Sequence, residues 1–372
     1  MTGLRNIFHL GIKEMHSLWR DKMMLVFVIY AFTGLIYMVA STTDTDLKNA
    51  PIAIVDEDQS PLSKRLIGAF YGPYFKTPDI IQYDEIDPLL DNATYTFALI
   101  IPANFQRDVL ANNQPTLQLN IDATRMTQAA TGDHQIQSIL TAEISEFVKG
   151  YRADYKLPII ESSHLMFNPN LNSIWFGSVV QLMNMVTMIS LLLTGAAVIR
   201  EREHGTMEHL LVMPLTAFQI MVAKIWANGL LILMASAFSL FVVIKGVLGV
   251  PIQGSATLFL MGVSIHIFAT TSLGILLGTQ ARTMPQLGLL SVLVLMALQM
   301  LSGSVTPRES MPDIVQNIML AAPTTHFIKF AQSILYRGAG WDVVWPDYLA
   351  LLVIGVVCFV FALMRFRKAV AQ

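Results

Sequence analysis

A charged segment between two long apolar runs, residues 200–214, carries the residues best suited to recognising a partner. It combines five charged side chains with an apolar stretch and a terminal proline. Gly205 and Thr206 break the preceding helix, Thr206 can cap a short new one, and Pro214 ends it. That short helix would present an apolar face containing Leu210. The acidic side chains expected to meet basic residues of a partner are Glu201, Glu203 and Glu208. The segment therefore predicts docking through ion pairs and apolar contact, with a solvated linker as the alternative.

Polar side chains inside apolar runs form a second candidate site. They are Gln181, Asn184 and Thr187 in the run 174–199, and Gln299 and Ser302 in the run 284–305. Such groups are costly in lipid unless they face water or a polar partner. They either line a substrate pathway or form hydrogen bonds between packed helices, and both interpretations are kept. His266 has no acidic partner on its own run, so we expect a packed, hydrogen-bonded residue and not a proton relay.

The composition indicates a membrane protein. Only 13% of the 372 residues are charged, whereas soluble domains carry about 25%. The net charge of −2 gives no basic footprint for nucleic acid. The single cysteine allows no disulfide within the chain and no cysteine metal site, and we expect no metal or cofactor site in the chain.

Six runs are long enough to cross a bilayer, which takes roughly 20 mostly apolar residues. They are residues 23–43, 174–199, 218–244, 254–281, 284–305 and 348–364. Lys and Arg cluster before the first run, between the second and third, and after the sixth, and Arg282 lies between the fourth and fifth. This distribution predicts two cytoplasmic termini. The first run is longer than the apolar core of a cleaved signal peptide, so we expect it to be retained.

The N-terminal residues 3–20 carry apolar side chains at helical spacing, with charged ones elsewhere on the wheel. This pattern is typical of an amphipathic helix lying in the membrane interface, and a flexible basic tail is the alternative.

Residues 44–173 have the character of a separate α/β domain. Strands are predicted at 51–56, 95–101 and 116–121, and helices at 60–70, 103–111 and 126–151. Ser60 is the expected cap of the first helix, with Pro61 in its first turn. The acidic run 56–58 lacks the spacing of a calcium loop, so we interpret it as a solvated loop at a helix N-terminus and not as a cation site.

After the fifth run, residues 308–337 form two apolar stripes separated by a break at Pro323, Thr324 and His326. Two short helices dipping into the outer leaflet explain the pattern, provided that they pack against protein or water. A surface loop with two interfacial helices is the alternative.

At residues 201–214 the chain resembles the permease subunits of the second type of ABC exporter. Their signature, E-x-x-x-G-T-x-E-x-L-x-x-x-P, is matched in full by Glu201, Gly205, Thr206, Glu208, Leu210 and Pro214. The resemblance also covers the interfacial helix, the six runs and the large domain after the first of them. It is to the bacterial inner-membrane subgroup that works with periplasmic adaptor proteins.

The resemblance implies that residues 201–214 are a coupling helix docking on a cytosolic ATP-binding subunit, which holds ATP and Mg. This chain has no G-x-x-x-x-G-K-[ST] motif, so it is expected to be a transport subunit and not an enzyme. A second permease half, identical or a sister chain, would face spans two and five. A periplasmic adaptor and an outer-membrane channel are further expected partners. The hairpin would bend the outer exit.

The predicted fold is thus an α-helical polytopic membrane protein with six spans, an interfacial helix, an outer re-entrant hairpin and an inserted α/β extracytoplasmic domain. Its parts are residues 1–43, 44–173 and 174–372. A pathway without fixed charge favours export of an apolar or amphipathic substrate, such as a drug or lipid. The rival interpretation is a membrane-anchored sensor or scaffold that binds ligands with the outer domain; the short cytosolic loops leave little room for its output domain. A secondary transporter would need inverted repeats and midplane charges.

Overall fold

The structure, a computed structural model, describes residues 2–42, 47, 49–92, 94–122, 126–150, 172–203, 215–304, 306 and 308–371. The chain divides into two compact units. The membrane unit comprises Met1–Asp44 and Leu165–Gln372, and the α/β unit comprises Thr45–His164. The protein is mostly helical, with several apolar helices of membrane-spanning length, as expected of a polytopic membrane protein.

The membrane unit begins with three helices: α1 (Thr2–Arg20), α2 (Lys22–Phe32) and α3 (Gly34–Thr42). α1 is amphipathic, as the spacing predicts, while its position in an interface stays a prediction. Between α1 and α2, the Asp21 carboxylate accepts a 3.1 Å bond from the Met24 amide and so caps α2. α2 and α3 form one apolar segment of 21 residues, interrupted at Thr33.

The α/β unit is built on a four-stranded sheet with the order β2-β1-β3-β4. The strands are β1 (Ile52–Asp56), β2 (Asp79–Ile80), β3 (Phe97–Ile101) and β4 (Gln118–Ile121). β1 runs parallel to β2 and β3, while β4 is antiparallel to β3. In register, Ala53 lies beside Ala98, which lies beside Asn120. The three predicted strands are confirmed to within two residues. β2 was missed because it is only two exposed residues long.

The helices of this unit are α4 (Pro61–Ala69), α5 (Ile86–Asp91), α6 (Phe105–Leu110) and α7 (Met126–Lys149), with a 3₁₀ turn at Tyr83–Glu85. Ser60 caps α4 as predicted, because its hydroxyl accepts a 3.1 Å bond from the Ser63 amide. β3 is buried along its whole length, as its apolar run indicates.

The carboxylates of the acidic loop after β1 accept hydrogen bonds from the loop itself and from the first turns of α4 and α6. Asp56 accepts 2.9 Å bonds from the Gln59 amide and the Ser63 hydroxyl, and Asp58 accepts a 3.1 Å bond from the Gln106 amide in the first turn of α6. These bonds agree with the predicted loop at helix N-termini, since the carboxylates cap donors that would otherwise lack partners.

Seven α-helices form most of the rest of the membrane unit that the structure describes: α8 (Ser173–Glu203), α9 (Ala217–Phe238), α10 (Ala256–Gln280), α11 (Met284–Met300), α12 (Asp313–Met319), α13 (Pro323–Leu335) and α14 (Trp341–Ala371). α9 continues as a π-helix over Ser239–Val247. At its start, Thr216 and Gln219 form the predicted capping box, with bonds of 3.3 and 3.0 Å. α11 stops at Met300, five residues before the end of the predicted fifth span, because a turn with Gly303 at a φ of +92° follows.

Among the described residues, five helical segments are long and apolar enough to cross a membrane. They are Lys22–Thr42, Ser173–Glu203, Ala217–Val247, Ala256–Gln280 and Trp341–Lys368. α11 is apolar but has only 17 residues, a length of about 26 Å at 1.5 Å per residue. α14 begins seven residues before the predicted sixth span and brings Asp347 into the helix.

Small residues let α8 and α10 approach closely. A Cβ added to Gly274 would lie 2.4 Å from the Leu191 carbonyl oxygen, and one added to Gly278 would lie 2.9 Å from the Gly195 carbonyl oxygen. Gly274 and Gly278 form a G-x-x-x-G pattern, the spacing that places two glycines on one helix face. This contact fixes α8 against the middle of the membrane unit.

Candidate functional site

The candidate site is the end of α8 and the signature segment that follows it. Residues 204–214 lie outside the described residues, so the predicted positions of Gly205, Thr206, Glu208, Leu210 and Pro214 stay predictions. The structure does describe the last four residues of α8, Arg200–Glu203, which we call the stem. Every stem residue bonds to a different part of the membrane unit.

Two arginines of the stem reach in different directions. The guanidinium of Arg200 donates a 2.9 Å bond to Asp21 between α1 and α2. That of Arg202 donates a 2.8 Å bond to the carbonyl oxygen of Ala281, just past the end of α10. The second bond satisfies one of the free carbonyl groups at a helix C-terminus, where a cation is also favoured by the helix dipole.

The two glutamates of the stem face other helices. Glu203 accepts a 3.2 Å bond from the Met284 amide and so caps the N-terminus of α11. Glu201 forms a 2.6 Å ion pair with Lys224 of α9. The same lysine donates a 3.2 Å bond to Glu14 of α1. α1, α8 and α9 therefore meet at one ammonium group.

This ion cluster is buried. The Lys224 side chain is 1% exposed, and those of Glu14 and Glu201 are 12% and 14% exposed. A buried ammonium is tolerated only when carboxylates and hydrogen bonds compensate for the lost water. α1 is further held to α9 by Trp226, whose indole stacks on Phe8 and donates a 3.3 Å bond to the Ile7 carbonyl oxygen.

The structure shows which groups of this chain the two glutamates bind, while their predicted pairing with a partner stays a prediction. Glu201 and Glu203 were expected to pair with basic residues of a partner, within a coupling helix that starts at residue 201. In the structure α8 continues through Glu203, and both carboxylates bind groups of this chain. Because α8 includes both residues, Glu201 lies within bonding distance of Lys224 and Glu203 within bonding distance of the Met284 amide. Glu201 and Glu203 therefore anchor the end of α8 to α9 and α11 of this chain.

The predicted pathway residues fall into two groups. Gln181 and Asn184 lie on a half-buried stripe of α8 that continues through Met188, Leu192 and Ala196 at helical spacing. Thr187, by contrast, is 2% exposed and bonds to His266 of α10, with 2.8 Å between Oγ1 and Nε2. Thr187 thus matches the alternative of hydrogen bonding between packed helices.

The other pathway residues lie near the end of α11. Gln299 is half-buried, while Ser302 is 1% exposed and donates a 2.9 Å bond to the Gln299 carbonyl oxygen. His266 stacks on Phe327 with ring centroids 3.9 Å apart and is fully buried. The prediction of a packed, hydrogen-bonded histidine is confirmed.

The predicted hairpin contains α12 and α13, and ten of the thirteen residues of α13 are buried. That burial favours a helix packed inside protein over an interfacial surface helix. Pro323 starts α13, and the Thr324 hydroxyl donates a 3.2 Å bond to the Leu298 carbonyl oxygen of α11. His326 lies 3.1 Å from Asp347 through Nδ1 and 3.0 Å from the Leu320 carbonyl oxygen through Nε2, so its ring joins α13 to α14 and to the end of α12.

Sequence reasoning missed three contributors to these contacts. Lys224 was taken only as a topology charge, although a lysine inside an apolar run needs a buried partner. Asp347 was left outside the sixth span, yet it binds Lys329 at 3.1 Å and is 5% exposed. The G-x-x-x-G pattern in α10 was a readable signal for close helix packing.

The sequence has extensive similarity to known permeases. It matches the ABC-2 family transporter protein family over residues 22–364. It is 56% identical over 370 residues to "Inner membrane transport permease YhhJ" of Escherichia coli K12, covering 100% of this chain and 99% of that protein. It is 28% identical over 361 residues to "Probable multidrug ABC transporter permease YbhR" of the same strain, covering 96% and 97%. For "Probable multidrug ABC transporter permease YbhS" the identity is 23% over 342 residues, covering 90% and 89%. The chain belongs to the ABC-2 transporter family.

Proposed function

We propose that this chain is one permease half of an ATP-driven exporter in a bacterial inner membrane, with both termini in the cytoplasm. Membership of the ABC-2 family supports the transport role. A relative whose name includes multidrug transport supports an apolar or amphipathic substrate, such as a drug or lipid. ATP and Mg would bind to a separate cytosolic subunit. This chain would couple ATP binding and hydrolysis on that subunit to movement of its own helices.

The stem is the observation that carries this proposal. Arg200 and Arg202 bind between α1 and α2 and at the end of α10, while Glu201 and Glu203 bind α9 and the start of α11. A force applied to residues 204–214 would therefore reach α2, α9, α10 and α11 through direct bonds, and α1 through Lys224. A passive linker between two spans has no need of such bonds.

A second permease half is supported by surfaces that this chain leaves open. The stripe of α8 containing Gln181 and Asn184 is half-buried. α11 buries only Leu287, Ser291, Leu295 and Leu298 and exposes large apolar side chains on its other sides. We propose that an identical or sister half covers part of these surfaces and that the pathway runs between the halves.

The six-span topology completes the proposal. α11 would be the fifth span, shortened because α12 and α13 fill the outer leaflet beyond it. The α/β unit, inserted between α3 and α8, would stand in the periplasm, where an adaptor leading to an outer-membrane channel could bind it.

Docking through the signature segment has a direct test. Glu208→Arg and Gly205→Pro are each expected to abolish most co-purification with the ATP-binding subunit, because one reverses a docking charge and the other distorts the break before the short helix. Co-purification from membranes is the readout. The matched control is Glu57→Arg, a charge reversal at an exposed position of the α/β unit. Normal recovery of the ATPase with both signature variants would refute docking at this segment.

The pathway assignment predicts a different pattern. Asn184→Leu and Gln299→Leu are expected to change export without loss of assembly, because both side chains remain half-exposed in the single chain. Thr187→Val is the contrasting variant. It removes the bond to His266, which should lower stability by about 0.6 to 1.7 kcal/mol without changing which substrates are exported. ATP-dependent efflux of a fluorescent drug, with melting of each purified variant, separates these outcomes. Unchanged efflux in both leucine variants would make Asn184 and Gln299 packing residues.

A further inference from the structure

A pocket of about 430 Å³ lies at the end of α8 remote from the stem. Phe176, at the start of α8, lines it about 40 Å along the helix from Glu203. The turn after α11 contributes Ser302 and Arg308. The helix α13 contributes Thr325, Ile328, Lys329 and Gln332. The ion cluster of the stem is therefore not part of this site.

The pocket carries unbalanced positive charge. Arg308, Lys329 and Arg337 line it, with Glu309 as the acidic side chain on the wall. Lys329 is paired with Asp347 at 3.1 Å. Arg308 and Arg337 have no carboxylate within 4.0 Å among the residues that the structure describes. Two guanidinium groups are thus available to an anion.

Two buried donors in the pocket lining also lack partners among the described residues. Thr325 is 1% exposed, and its hydroxyl has no hydrogen-bond partner within the described part of the chain. The Nε atom of Arg308 is buried and unpartnered under the same condition, although its other end donates a 3.4 Å bond to the Gln316 carbonyl oxygen. Buried donors without acceptors cost free energy, which a bound anion would recover.

The pocket lining also includes the apolar side chains of Phe176 and Ile328. The Phe176 ring stacks on Tyr336 with centroids 5.9 Å apart. The Tyr336 hydroxyl donates a 3.0 Å bond to the Phe176 carbonyl oxygen and so ties the end of α13 to the start of α8. A preformed pocket lined by both cationic and apolar side chains suits a ligand with a charged part and an apolar part.

We propose that this pocket binds the anionic headgroup, a phosphate or carboxylate, of an amphiphile whose tail packs against Phe176 and Ile328. Arg308 and Arg337 supply the charge, and Thr325 donates a hydrogen bond. The amphiphile is either a bilayer phospholipid or the exported substrate. The second case rests on the proposed export function, whereas binding itself does not.

The binding test uses the purified full chain in an uncharged maltoside detergent, with dodecyl phosphate as the probe and dodecyltrimethylammonium as the tail-matched cationic control. The double variant Arg308→Gln/Arg337→Gln is expected to weaken dodecyl phosphate binding by at least about tenfold, because two charge-assisted bonds are lost. Thr325→Val should weaken it less. Arg365→Gln/Arg367→Gln, the same charge change on α14, should leave it unchanged. Titration calorimetry gives the affinities, and melting curves verify that each variant is folded.

Equal binding of the two probes by the wild-type chain, or unchanged phosphate binding by the folded Arg308/Arg337 variant, would overturn the proposal. Inorganic phosphate competing as well as dodecyl phosphate would overturn the amphiphile part. Nanodiscs with phosphatidylglycerol in phosphatidylcholine then separate the two sources. Retention of phosphatidylglycerol by wild type and not by the double variant supports a resident lipid, while ATP-driven export of dodecyl phosphate that the double variant loses supports a substrate. Failure of export alone would count against the proposed function and leave the detergent result standing.

Discussion

Lys224→Met is expected to destabilise the membrane unit by about 3 to 5 kcal/mol, the cost of breaking a buried ion pair by removing one partner. The lysine is 1% exposed and is the shared partner of Glu14 and Glu201. Without it, two neighbouring carboxyl groups would stay buried and lose the positive charge that they share. The melting temperature of the purified chain and its yield from membranes both report this loss.

Two further variants separate the lost ion cluster from a general effect of losing a lysine. Lys245→Met removes an exposed lysine at the far end of the same helical segment and should leave stability nearly unchanged. The triple variant Lys224→Met/Glu14→Gln/Glu201→Gln removes the whole cluster of charges and should recover much of the loss, since neutral replacements of buried ion pairs are often tolerated. A Lys224→Met chain that melts like the wild type would show that the cluster does not stabilise the fold.

The features that the sequence predicted well depend on residues close together in the chain. The capping box of Thr216 and Gln219 joins residues three apart, and the Ser60 cap spans the same distance. The long apolar runs and the strands β1 and β3 are likewise local patterns. The interactions that produce these features act within one helix turn or one strand, so the local sequence is enough to predict them.

The stem could not be predicted in the same way. Arg200 and Asp21 are 179 residues apart in the chain, and Lys224 and Glu14 are 210 apart. Nothing local distinguishes a glutamate that binds a partner from one that binds Lys224. A single rule was available, that a lysine in an apolar run needs a buried acid, but the choice of acid depends on how the helices pack.

The same reasoning explains the pathway residues. Gln181 and Thr187 are both polar residues in one apolar run, and they are separated by six positions. At about 100° per residue that separation turns them to different faces of α8. Only the position of α10 decides that Thr187 meets His266 while Gln181 stays on the half-buried stripe. The helical periodicity shows which residues of α8 share a face, and tertiary packing decides which neighbouring helix each face contacts.

Substitutions at Gly274 should produce the second large effect. Gly274→Ala is expected to cost about 1 to 3 kcal/mol, and Gly274→Leu more, because the new atoms meet the backbone of α8 and not a movable side chain. The added Cβ would lie 2.4 Å from the Leu191 carbonyl oxygen, closer than such contacts allow. α8 and α10 would have to separate, which also moves Thr187 from His266 and disturbs the stem at the end of α8. Melting of the purified variants measures the cost.

Gly288→Ala is the matched control, since Gly288 lies inside α11 and has no atom within 4 Å of an added Cβ. Alanine is the better helix former by up to about 1 kcal/mol, so this variant should be neutral or slightly more stable. The sign of the change therefore differs between two identical substitutions in apolar helices, and helix propensity cannot explain the difference. A Gly274→Ala chain as stable as the Gly288→Ala chain would mean that α8 and α10 are not packed at backbone distance. In that case the stem, which extends directly from α8, would lose the rigid support through which it is proposed to transmit motion.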